Sequence, residues 1–220
     1  ELAEPAEGLA PRPEDAIRRD LRVIAADLWL RLNLRRFRLE VEGVYAHGEL
    51  LATTTPGFEL RHPLTSDQWG VVLQAAWEPT EGFGADIELG LASGDDAPGF
   101  GVRLRDDQIA TVPGDLDGPQ FRYPEDLTID NFRMHPNHRV DLILWRRLIG
   151  AITDAVYVRA RAWYVWRALK IETWLVFSSA MHDETTPGDG RALGLEWDTM
   201  LTWTTVSYTH LRAHETVLDL

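Results

Sequence analysis

Cysteine is absent from this 220-residue chain, which excludes a disulfide framework and any thiol chemistry. No apolar run approaches the roughly 20 residues that a transmembrane helix needs. Positive charge is in deficit: 22 Lys and Arg stand against 35 Asp and Glu, a net charge of −13, so nucleic acid and anionic head groups are excluded as main partners. Catalytic signatures are missing as well. There is no Gly-Xaa-Ser-Xaa-Gly, no phosphate loop and no Ser/His/Asp set at useful spacing, and the chain is not read as an enzyme. With neither a starting Met nor a signal peptide, the N-terminus is expected to be a processed end or a fragment edge.

What the chain does have is alternation. Ile24, Ala26, Leu28, Leu30 and Leu32 fall on one face of a strand, and Asp27, Trp29, Arg31 and Asn33 on the other, because successive strand side chains point to opposite sides. The same period of two recurs over about 21–33, 37–48, 68–78, 85–93, 155–167, 171–181 and from 193 onward. Helical periodicity fits these segments less well. Residues 1–19, with Pro5, Pro11 and Pro13, read as a flexible leader. Residues 20–205 read as one all-β domain, with polar loops at 50–66 and 182–192 and a long Gly/Pro/Asp-rich excursion at 94–153.

Seven segments of about ten residues, joined by alternately short and long connections, are the pattern of an antiparallel up-and-down transmembrane β-barrel. With the short turns periplasmic, Phe37, Trp77, Trp166 and Trp203 are expected near the inner end of the lipid-facing stripe. Tyr45, Trp69 and Trp197 are expected near its outer end. Such belts form because an aromatic ring is apolar while its polar edge can hydrogen-bond at the membrane boundary.

The opposite face is then the lumen. It is expected to carry Asp27, Arg31, Arg38, Glu40, Glu42, Glu78, Asp86, Glu88, Arg159, Arg161, Arg167, Glu172, Glu196 and Asp198. On the lipid face a charge costs about 2–4 kcal/mol near mid-membrane; in the lumen it pairs across strands or sets the field felt by a solute. Structural pairing is the default for any single residue. Arg159 and Arg161, two positions apart on one face, also suit capture of a carboxylate or phosphate.

The long excursion holds Asp95, Asp96, Asp115, Asp117 and Asp130, oxygens of the kind that bind Ca²⁺. No segment has EF-hand or nonapeptide spacing, so solvated acidic loops are the favoured reading and no cofactor is expected. His135 and His138 lack a third ligand at helpful spacing and read as ordered loop residues. Residues 139–153, with Val140, Leu142, Leu144, Ile149 and Ile152 among charges, are expected to form a short strand or helix plugging the mouth.

Four motifs carry a resemblance. They are Ser93-Gly94-Asp95-Asp96-Ala97-Pro98-Gly99-Phe100-Gly101, Asn131-Phe132-Arg133-Met134-His135-Pro136, Arg139-Val140-Asp141-Leu142-Ile143-Leu144-Trp145-Arg146 and Leu193-Gly194-Leu195-Glu196-Trp197-Asp198. Over about residues 20–205 the chain resembles a group of uncharacterised outer-membrane barrels of myxobacterial type, itself similar to the alginate-export porins. The resemblance implies a passive pore in the bacterial outer membrane, its long outer loop folding toward the lumen around Asp95, Asp96, Arg133, His135, Arg139 and Asp141. The alginate-export channel is arginine-rich, whereas the lumen set here has five arginines and nine acids, so a polyuronate is not the expected solute. Residues 206–216 resemble a spurious read-through tail of environmental assemblies, so 206–220 is expected to be non-native and the chain an N-terminal portion of a longer barrel. A native tail would place His210 and His214 at i, i+4, a spacing that can bind a metal.

The sequence thus predicts a porin-like channel for small polar solutes or saccharides, with outer-membrane lipid around it and no nucleic-acid partner. Two other readings are distinguishable. A non-conducting surface or adhesion barrel would use the long loop as its receptor face. A soluble β-sandwich carbohydrate-binding module would stack sugar on Trp29, Trp163 or Trp174 and bury Trp69, Trp77, Trp166 and Trp203 without detergent.

Overall fold

The computed structural model describes residues 20–51, 63–96, 126–183, 186 and 190–204. The leader, most of the 50–66 loop, residues 97–125 with Asp115 and Asp117, and the tail with His210 and His214 lie outside the described residues. Seven strands follow in chain order: β1 (Leu21–Leu34), β2 (Phe37–Leu50), β3 (Leu64–Thr80), β4 (Phe83–Ala92), β5 (Ala155–Trp166), β6 (Leu169–Ala180) and β7 (Ala192–Trp203). Each pairs antiparallel with the next in one sheet of order β1-β2-β3-β4-β5-β6-β7.

The strands run 10 to 17 residues, well beyond the 5–6 typical of globular sheets. They also outrun their expected limits: β2 continues to Leu50 and β3 starts at Leu64. The tight connections are only two residues long, Arg35-Arg36, Glu81-Gly82 and Arg167-Ala168. Arg167 therefore leaves the lumen set. It sits in a turn with left-handed backbone (φ 56) and lays its guanidinium 5.4 Å from the Trp166 ring.

The sheet is open and is not closed into a barrel; an incomplete portion of one is what the sequence predicts. β1 and β7 are its two edges. Seven alternating strands leave β1 and β7 running the same way, so the two edges cannot complete an antiparallel ladder with each other.

Register partners share a face, and the ladders carry one face across all seven strands. One face takes Leu28 and Leu30 of β1, Leu39 and Val41 of β2, Leu73 of β3, Ile87 and Leu89 of β4, Val158 of β5, Leu175 of β6 and Leu195 of β7. Among the described residues this apolar face is bare: Ile24, Leu28 and Trp197 are each 75% exposed.

The buried core lies on the other side. There Ala92, Ala155, Tyr157 and Val176 of the sheet pack with Met134, Val140, Trp145 and Ile152 of the segment 126–154, which crosses that face. The segment is pinned at its start by Thr65 N donating to the Leu127 carbonyl (3.0 Å) and Ile129 N donating to that of Thr65 (2.9 Å). Ser93 Oγ then donates to the Asp130 carbonyl (2.6 Å), and Met134 N to that of Ile152 (2.9 Å). A single helical turn, Leu144–Ile149, stands where the plug is expected. Two strand glycines make room for rings: a Cβ on Gly70 would overlap Phe132, and one on Gly90 would overlap Tyr157, its register partner. Glycine in a strand interior often marks such a close approach.

Candidate functional site

Charges alternate with small and apolar residues along the polar face, and the ladders bring opposite signs together. Arg31 of β1 faces Glu40 of β2 and donates to it from Nε (3.0 Å) and Nη2 (2.8 Å). Trp29 Nε1 donates to the same carboxylate (2.8 Å). On β4 and β5, Arg161 meets Asp86 (2.6 Å from Nε) and Arg159 meets Glu88 (2.6 Å), both as direct register partners. Lys170 continues the network to Glu172 (3.0 Å).

Glu88 is the most enclosed of these groups, 2% exposed. It accepts from Arg159, from Gln74 Nε2 (2.8 Å) and from Tyr157 Oη (2.7 Å). A buried carboxylate is tolerable when it is paired and hydrogen-bonded in this way. Tyr157 Oη also lies 2.6 Å from His138 Nε2. The phenol has one proton, which it donates in a hydrogen bond to Glu88, so His138 carries its proton on Nε2 and donates to the phenol oxygen. Burial, with Arg159 nearby, holds His138 below the usual imidazole range despite Glu88 and Glu42.

The covering segment is tied down by two more carboxylates. Glu196 of β7 accepts from the backbone N–H groups of Leu142 (2.8 Å), Ile143 (3.1 Å) and Leu144 (2.8 Å). Asp141 accepts from the N–H groups of Trp145 and Arg146, serving the free donors at the start of the helical turn. Burial pushes the Asp141 carboxyl above the ordinary range, and does the same to Asp130, which accepts from Asp67 N (2.7 Å). Trp145 Nε1 donates to Ser178 Oγ (2.8 Å), so its buried indole is also satisfied.

The register places Asp27, Arg31, Arg38, Glu40, Glu42, Asp86, Glu88, Arg159, Arg161, Glu172, Glu196 and Asp198 on one face. Arg159 and Arg161 are not a vacant anion clamp, since Asp86 and Glu88 already engage them. Phe37, Trp77, Trp166 and Trp203 stand on the apolar face at the tight-turn end. Phe83 joins them there, its ring edge-on to Trp77 at 6.2 Å. Tyr45 and Trp69 are register partners toward the other end. Trp197 departs from its expected place: it is the sixth of twelve residues in β7, at mid-strand, and donates to Thr173 Oγ1 (2.8 Å).

Among the loop residues, Asp95 is buried and accepts from Asp130 N (2.8 Å). Its carboxylate, with those of Asp96 and Asp126, offers oxygens within 4.8 Å of one another. Arg133, bridged through its backbone to Thr153, and Arg139 are exposed. So is His135, whose Nδ1 accepts from Asn137 N (3.1 Å). The contribution of Tyr157 and His138 to the Glu88 network was not legible from spacing, although Gly90 opposite Tyr157 was a usable signal.

Two cavities adjoin the segment. One, of about 240 Å³, lies over β2 and β3 against Phe132, Met134 and His138. The other, of about 300 Å³, is lined by the segment alone, Arg139, Arg146 and Arg147 among its residues. No protein-family model, curated protein or solved structure matches this chain.

Proposed function

We propose that this chain is wall of a bacterial outer-membrane β-barrel, a porin-like channel for passive passage of small polar solutes, saccharides among them. In this reading the segment 126–154 is an inserted loop that narrows the lumen. The observation that carries it is the inversion of the sheet: large apolar side chains cover the bare face across all seven strands, while the buried core and the enclosed carboxylates Glu88, Glu172 and Glu196 lie on the other. A continuous apolar patch beyond a few hundred Å² is rare on a water-soluble monomer and marks a surface meant for lipid or protein.

The height of the bare band supports lipid. On β2 it runs from Phe37 to Tyr45 before His47 and Glu49 take over, and on β3 from Trp69 to Trp77 after Asp67. Nine residues span about 26–30 Å along a strand at ~3.3 Å each. A barrel tilt of about 40° lowers that to roughly 20–23 Å, close to the ≈25 Å apolar band of outer-membrane barrels. The soluble-sandwich reading expects buried tryptophans, yet Trp77, Trp166 and Trp203 are 50–68% exposed. In lipid the backbone edges of β1 and β7 must be paired with further strands.

A specific observation favours a second reading, a non-conducting surface barrel: Met134, Trp145 and Ile152 fill space over β4–β6. The full chain refolded into detergent and lipid vesicles, read by heat-modifiable gel mobility and single-channel conductance, separates the three. Amphiphile-dependent folding with conductance steps supports the channel. The same folding without conductance gives the surface barrel. A folded monomer in plain buffer, with Trp77 and Trp203 shielded from a fluorescence quencher, removes the membrane reading.

A further inference from the structure

The cavity over β2 and β3 is mixed in a specific way. Its walls are Val44 and Val72 from the sheet and Phe132 and Met134 from the covering segment; its charged rim is Glu40 and Glu42. Glu40 is already matched by the Arg31 guanidinium and the Trp29 indole. Glu42 is exposed, and among the described residues it has neither a hydrogen bond nor an ion pair. His138, also in the wall, is neutral at physiological pH and has committed its Nε2 proton to Tyr157. The pocket therefore holds one unmatched negative charge beside an apolar, partly aromatic wall.

We propose that this cavity is a binding site for a small organic monocation, an amine or quaternary ammonium with an apolar body, whose charged end meets Glu42. The inference deepens the channel reading, on which it rests for the ligand's route of entry, by naming a solute class. Three physical features converge on that class. Concave sites bind through apolar walls with a few polar groups that fix orientation. An aromatic ring in the wall favours a cation over an anion of the same shape. At about 240 Å³ the space suits a small metabolite rather than a long chain. The wall is also built in place: Phe132 seats over Gly70, where any Cβ would collide with its ring.

The test uses the whole 220-residue chain in whichever medium keeps it folded, with three probes of similar size: phenethylammonium, phenethyl alcohol and phenylacetate. Binding is read by calorimetry and ligand-observed saturation-transfer NMR. The expected result is phenethylammonium at least about tenfold tighter than phenylacetate, with Glu42→Gln bringing the two within about twofold. Glu42 is exposed and makes no side-chain hydrogen bond or ion pair among the described residues, so folding of the variant is expected to be unchanged, and the three-probe comparison on the unaltered chain stands independently of it. Equal affinity for cation and anion, or cation affinity unchanged in Glu42→Gln, overturns the site. Cation-selective binding by a monomer folded in plain buffer upholds the site while removing the membrane reading, so the two proposals fail separately.

Discussion

Ile87 and Glu88 are neighbours in β4 and live in opposite environments. Ile87 is 48% exposed on the bare face, and Glu88 is 2% exposed on the covered one. Burial by itself favours the apolar side chain and penalises the charged one, so Glu88 is held by its partners and not by its own transfer from water. The contrast runs along the whole sheet. The bare face has regular alternation and little internal bonding. The covered face has short ion pairs, glycine clefts and a segment laid across it. One face is left without covering partners among the described residues, and the other supplies its own.

The largest effect that would break this contrast is Glu88→Ala. It strands Arg159, Gln74 and Tyr157 together, and removing one partner of a buried pair costs about 3–5 kcal/mol; urea unfolding of the refolded protein reads it. Next comes Ile87→Arg, one residue away on the bare face. In lipid it should cost about 2–4 kcal/mol near mid-membrane, and in plain buffer close to nothing. An equal cost in both media would mean that the bare face is covered by protein, not lipid. A smaller loss is expected from Glu196→Gln, which weakens the shared acceptor for three N–H groups of the covering segment by about 1–3 kcal/mol. Faster proteolysis between residues 141 and 150, with the global unfolding midpoint nearly unchanged, is the expected signature.

The smallest effect is that of pH. Burial depresses His138, so the seated segment binds a proton there more weakly than the released one does. Its contribution to seating is complete above the ordinary imidazole value of 6.5 and is lost as pH falls from there through the depressed value. Asp130 and Asp141, raised by burial, act in the opposite sense, since their cost eases as pH falls through their raised values toward 3.8. Hydrogen-exchange protection of segment 126–154, taken relative to the intrinsic rate at each pH, should therefore fall on first acidification below about pH 6.5. His138→Gln should flatten that response; an unaltered profile would remove His138 as its origin.

The faces were readable before the fold because strand alternation is local. Leu28 and Arg31 needed only their own neighbours to declare their sides. Other features carried no such mark. Arg167 fell on the correct parity for the polar face, but the two-residue turn at 167–168 ends β5 before it. Arg159 and Arg161 looked available for an anion because their partners lie 71 and 75 residues earlier in the chain. Trp197 belonged to the expected side yet not to the expected level, because the height of a residue depends on how each strand is staggered against its neighbours.

The amino-acid order by itself determined the seven strands, their sequence of pairing, the apolar and polar faces and, to within a few residues, the places of the tight turns. These follow from a period of two and from short connections, which are properties of adjacent residues. Only the tertiary structure decided that residues 126–154 lie across the charged face, that Glu88 is enclosed with Tyr157 and His138, and that Glu42 is left unmatched beside a cavity. Those outcomes are set by packing and charge pairing between residues far apart in the chain, where no periodic signal reaches and where the free energy of each contact depends on which other groups have already been removed from water.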